Sequence, residues 1–147
     1  MLIGARDAFH KAQSQDQEVA AVADLARALV NQGKSAQALK AMESIRTLAN
    51  STENPYVKSV FLIEAARAHA FSAKAAVARA ELDSALKLAS AHGFALLELR
   101  ARLAGAEIEQ KFGDAAKGVT AIASIRADAL SRGLPLIARE AENLAKK

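Results

Sequence analysis

Four of the seven glycines, Gly33, Gly93, Gly113 and Gly133, are separated by multiples of twenty residues. The segments between them are dominated by alanine, leucine, glutamate, lysine and arginine, and apolar residues recur at spacings of three and four rather than in alternation. Those residues are strong helix formers, and that periodicity is helical. Glycine ends a helix by entering the left-handed conformation without a Cβ clash, so the even spacing reads as regular helix ends. The pattern predicts helices at about 3–13, 16–32, 35–50, 55–71, 74–91, 94–112, 115–131 and 134–145, with no strand. Ser35, Ser72 and Asp114 are the expected N-caps, and Pro55 and Pro135 suit first helical turns.

Shifting the chain against itself by forty residues turns this punctuation into a repeat. Gly33, Ala73 and Gly113 coincide at one kind of turn, and Glu53, Gly93 and Gly133 at the other. Ala26, Ala66 and Ala106 align, as do Ala38, Ala78 and Gly118, then Met42, Leu82 and Ile122, Ile45, Ala85 and Ile125, and Ala49, Ala89 and Ala129. One unit is a helix, a tight turn, a second helix and a looser turn. Such a hairpin cannot bury its apolar face alone, and stacking about three builds a continuous core. The units span 14–53, 54–93 and 94–133, with a half-unit over 1–13 and a terminal capping helix over 134–147. Gly4, Ala5 and Phe9 fall at the register of Ser44, Ile45 and Ala49. Small residues at the first two aligned sets let paired helices approach closely, Ala26 on Ala38, Ala66 on Ala78 and Ala106 on Gly118.

A small residue, a glycine seven positions later, an alanine five after that and a large apolar residue four further on resembles the tetratricopeptide repeat. The residues are Ala26, Gly33, Ala38 and Met42 in the first unit, Ala66, Ala73, Ala78 and Leu82 in the second, and Ala106, Gly113, Gly118 and Ile122 in the third. The family's period is about 34 residues with aromatic core positions. This chain has forty-residue units, no Trp, and Leu29, His69 and Glu109 where an aromatic is common. It is therefore similar to the long-helix, alanine-rich variants of bacterial regulatory proteins. HEAT-type pairs, with periods near 40, are the alternative fold. The resemblance implies an all-α solenoid of about eight helices in antiparallel hairpins, wound as a right-handed superhelix.

Little in the sequence suggests chemistry. His10, His69 and His92 never fall three or four apart as a shared metal site would want, so no metal ligand or cofactor is expected. His69 is read as a hydrogen-bonded core histidine and His92 as a helix C-terminal residue. Gly113 to Gly118 lacks the order of a phosphate loop, and the pairs Glu107/Glu109 and Glu140/Glu142 point to different sides of their helices. The chain is not expected to be an enzyme. Its net charge of +4 is interleaved and its aromatic content is 4%, which argues against a nucleic-acid surface. No stretch has the length of a membrane span, and charge follows the first residues too soon for a secretory leader. With no cysteine, the cytoplasm is the expected compartment.

Binding is what remains. The resemblance implies a concave groove lined by first helices: Ala23, Asp24, Arg27 and Asn31, then Ile63, Glu64, Arg67 and Phe71, then Arg100, Leu103, Glu107 and Lys111. It implies a non-catalytic protein–protein interaction module holding a peptide or protein segment, as part of a larger bacterial regulatory or signalling protein. Phe71 with Arg67 is one candidate anchor for an apolar or acidic peptide side chain, and Phe71 as a plug between hairpins is the other reading. The alternative function is a ligand-sensing or self-assembly domain of a signalling or transcription regulator, homodimerising through its terminal helices.

Overall fold

The computed structural model of the chain describes residues 2–147, apart from the side chains of Leu2, Ile3 and Phe9, so the register proposed for Phe9 lies outside the described residues. Among the described residues there are eight helices: α1 (Leu2–Asn31), α2 (Ser35–Ser44), α3 (Arg46–Ser51), α4 (Pro55–Ala70), α5 (Ala75–Ala91), α6 (Ala95–Phe112), α7 (Ala115–Ser131) and α8 (Pro135–Ala145). No strand occurs among the described residues.

Two boundaries differ from expectation. The helices expected at 3–13 and 16–32 are one 30-residue helix, α1. No glycine or proline lies between Gly4 and Gly33, and each added residue gains a backbone bond once a helix is nucleated. The helix expected at 35–50 is divided at Ile45, whose amide bonds to the Met42 carbonyl three residues back at 3.3 Å. The Ser44 hydroxyl donates to the Ala41 carbonyl at 2.6 Å, the kind of local bond that competes with the helix ladder.

Helix ends follow the glycines, with one exchange. Gly33, Gly93 and Gly133 have φ of 76°, 68° and 71°. Beyond each, an amide reaches back five residues, Lys34 to Leu29 at 2.8 Å, Phe94 to Ala89 at 2.9 Å and Leu134 to Ala129 at 2.8 Å, which satisfies a carbonyl the helix leaves open. Ala73 makes the same turn at φ 62° although it carries a Cβ. Gly113, expected to do so, does not. Its turn is closed by the Glu109 carboxylate, which accepts the Asp114 amide at 2.9 Å. Asp114 caps α7 through the Lys117 amide and Asn54 caps α4 through the Tyr56 and Val57 amides, with Pro55 and Pro135 in first turns. Ser35 and Ser72 are not caps. The residues before α2 and α5 are Lys34 and Lys74, without side-chain bonds, and the Ser35 hydroxyl instead donates to the Phe71 carbonyl at 3.0 Å.

Packing proceeds between neighbours. α1 touches α2, α3 and α4, α4 touches α5 and α6, and α6 touches α7 and α8. No backbone contact joins α1 to α6 or α4 to α8 among the described residues. Ala26 and Ala38 are fully buried in one apolar cluster, and Ala66 and Ala78 in the next. At the third crossing Gly118 comes nearest to α6 at Gln110; a Cβ there would lie 2.6 Å from the Gln110 Cα. Backbones this close admit only glycine.

These contacts give opposite expectations for like substitutions. Gly118→Ala forces two backbones apart and should lower stability by about 1–2 kcal/mol despite alanine's better helix propensity. Gly105→Ala, whose Cβ would meet only Leu82 Cδ1 at 3.8 Å, should raise it by up to about 1 kcal/mol. Ala73→Gly relieves the left-handed alanine and should add roughly 0.5–1 kcal/mol. Chemical denaturation of the three variants checks these signs.

Candidate functional site

Successive members α1, α4, α6 and α8 stand side by side and enclose an open cleft of about 670 Å³. Its lining falls into sets forty residues apart. Arg27, Arg67, Glu107 and Lys147 form one, Glu64, Ala104 and Leu144 a second, Ile63, Leu103 and Asn143 a third, and Arg100 and Glu140 a fourth, with Asn31 beside them. Each helix thus offers the same face, and the side chains differ by rung.

The floor is a buried ion-pair network centred on Arg67. Its Nε donates to Glu107 Oε2 at 3.0 Å, its Nη1 to Glu64 Oε2 at 3.3 Å and its Nη2 to Asn31 Oδ1 at 2.9 Å, so one guanidinium joins α1, α4 and α6. Arg67, Glu64 and Glu107 are 9%, 7% and 3% exposed, which makes the pairing obligatory, since an uncompensated charge at such depth is strongly destabilising. Burial pushes the Glu64 carboxyl above its ordinary range, against the pull of Arg67, Arg27 and Arg100. Burial also opposes the charge of Arg67, but Glu107 and Glu64 outweigh it and hold the guanidinium above its ordinary value. One rung further, Arg100 Nη2 donates to Glu140 Oε1 at 3.2 Å, joining α6 to α8. Both inter-helix pairs, Arg67–Glu107 and Arg100–Glu140, are forty residues apart.

Of the groove residues expected from sequence, Arg27, Asn31, Ile63, Glu64, Arg67, Arg100, Leu103 and Glu107 line the cleft. Ala23 is buried in the core, and Asp24 pairs with Arg27 at 3.1 Å on the exposed side. Phe71 and Lys111 are not in the lining. Phe71 packs edge-to-face on Phe112 at 5.3 Å with the Lys111 ammonium 5.0 Å from its ring, so it joins the ends of α4 and α6. The proposed Phe71–Arg67 anchor is therefore not assembled: Phe71 lies elsewhere and Arg67 is held by Glu64, Glu107 and Asn31. The C-terminal contribution, Glu140, Asn143 and Leu144 from α8 and Lys147 just beyond it, falls in the segment that the sequence assigns to a capping helix or a dimer contact rather than to the groove. Adding forty to Arg100, Leu103, Ala104 and Glu107 finds all four.

A second buried polar group lies outside the cleft. His69 is 5% exposed, with Nδ1 2.8 Å from Glu81 Oε2 and Nε2 3.4 Å from Glu43 Oε1. Arg46 bridges the same two carboxylates at 2.8 and 3.0 Å and stands over the Phe61 ring at 5.2 Å. This cluster fastens α2 and α3 to α4 and α5. His92, the residue at the C-terminal end of α5, stacks on Phe94. Among the described residues no group of three His, Asp or Glu side chains converges as a metal site requires, and no helix is long and apolar enough to cross a membrane. Comparison with protein-family models, curated proteins and solved structures finds no match for the chain.

The network sets two expectations. Arg67→Ala leaves Glu107 buried without its cation and should lower stability by about 3–5 kcal/mol. For Glu64 the folded pKa lies above the unfolded one, so its contribution is fully present below the ordinary carboxylate range and is lost as pH rises through the raised value. Glu64→Gln should accordingly raise the melting temperature at neutral pH, with the gain vanishing in acid. Melts of both proteins across that range check it, and a gain that grew on acidification would reverse the assignment.

Proposed function

We propose that this chain is a non-catalytic binding module that holds a peptide or protein segment in the cleft between α1, α4, α6 and α8. In this reading the helices form a tetratricopeptide-like stack of forty-residue hairpins, wound as a right-handed solenoid, within a larger cytoplasmic regulatory or signalling protein of bacterial type. The observation that carries it is the lining of the cleft by one register position after another from four helices. Such a surface meets a ligand that runs across the helices with a succession of different side chains, as a peptide does. Apolar Ile63, Leu103 and Leu144 alternate with charged groups, the mixture by which an extended segment is held through a few buried side chains inside a polar rim. The Arg67 network fixes the floor in advance, which lessens the ordering that binding must impose.

Asn143 lies exposed on α8 in the lining, so a large side chain there fills the mouth of the cleft without entering the core. Peptides selected from a degenerate library on the natural protein should lose most of their affinity for Asn143→Trp, while the thermal melt of the variant stays unchanged. Equal binding by the two proteins would place the peptide elsewhere.

A further inference from the structure

The charges in the cleft are not evenly answered. Arg67 has two carboxylates, Glu107 and Glu64. Arg100 has one, Glu140, reached through a single terminal nitrogen, while its Nε is buried with no hydrogen-bond acceptor. Among the described residues the salt bridge of Arg27 is with Asp24, which lies outside the lining and is largely exposed, a contact of little strength in water. Both guanidiniums act electrostatically on the one carboxyl of Glu64, which already serves Arg67. The cleft therefore holds two partly exposed guanidiniums, Arg27 and Arg100, whose charge is incompletely answered. Leu103 and Leu144, also in the lining, supply apolar surface within the same cleft.

Resting on the peptide-binding reading above, we infer that the cleft selects an acidic side chain, received between Arg27 and Arg100 while a neighbouring apolar side chain of the same segment lies on Leu103 and Leu144. A carboxylate balances the charge of the partly exposed Arg27 and Arg100 side chains, and a charge-assisted bond of this kind is about twice as strong as a neutral one. A basic side chain would meet Arg27 and Arg100 in repulsion. Glu64 opposes the incoming carboxylate, so the affinity is set by the contest between the two arginines and this one acid.

The test is selection from a degenerate library of short N-acetylated, C-amidated peptides, followed by fluorescence anisotropy of the selected peptides on the natural protein, Arg100→Gln and Glu64→Gln. Aspartate or glutamate should be enriched beside an apolar residue. Arg100→Gln should weaken binding roughly tenfold and Glu64→Gln should tighten it several-fold, opposite signs that loss of folding cannot produce. Raised salt should weaken the natural complex. Selected peptides without acidic enrichment, or bound equally by Arg100→Gln, would overturn the acidic selectivity and leave peptide binding standing. A selection that yields no binder at all would overturn the peptide reading itself.

Discussion

The structure depends on how closely helix backbones approach at the crossings marked by small residues. Alanines at Ala26 and Ala38, and at Ala66 and Ala78, are fully buried, and at Gly118 even a methyl group would collide with the backbone of α6. Close pairing of α6 with α7 at Gly118, and burial of small alanines in the earlier clusters, leaves larger side chains such as Met42, Leu99 and Ile122 to fill the spaces alongside. It also decides which face of each helix is left for solvent, and hence which residues meet in the cleft.

Within that cleft the chemistry is divided by depth. The deep layer is structural, because Arg67, Glu64 and Glu107 satisfy one another and join three helices. The shallower layer, with Arg27 and Arg100, has weaker or incomplete partners. The fully paired and the weakly paired groups are therefore different side chains of one charged surface, and Glu64 touches both. The cluster of His69, Glu81, Glu43 and Arg46 on the other side of α4 has the deep layer's character, with every member held by another.

Helices and their ends were legible because glycine and proline act locally: Gly33, Gly93 and Gly133 stop helices, and Pro55 and Pro135 start them. Gly113 follows the end of α6 as expected but without the left-handed turn, because its turn is closed by the side chain of Glu109, a partner that alignment with Gly33 does not reveal. The break at Ile45 was hidden for a similar reason, since Ser44 competes with the ladder only once its hydroxyl has turned back. Most of the cleft followed from register. Phe71 did not, because a helix-end position can face either a groove or a neighbouring helix end, and the choice was made by Phe112, forty-one residues away in the chain. Glu140, Asn143 and Lys147 are legible in principle, each lying forty beyond a residue placed in the groove by register, whereas Leu144 lies forty beyond Ala104, which that register leaves out.

The neighbour-to-neighbour packing has a consequence for how the chain reaches this structure. Every helix contact is made with an element no more than a few places along the chain, so none has to await the closure of a loop spanning the whole molecule. Low contact order of this kind accompanies folding in microseconds to milliseconds. The Arg67–Glu107 and Arg100–Glu140 pairs likewise each join two helices that touch, α4 with α6 and α6 with α8, so neither pair has to await a meeting of the two ends of the chain.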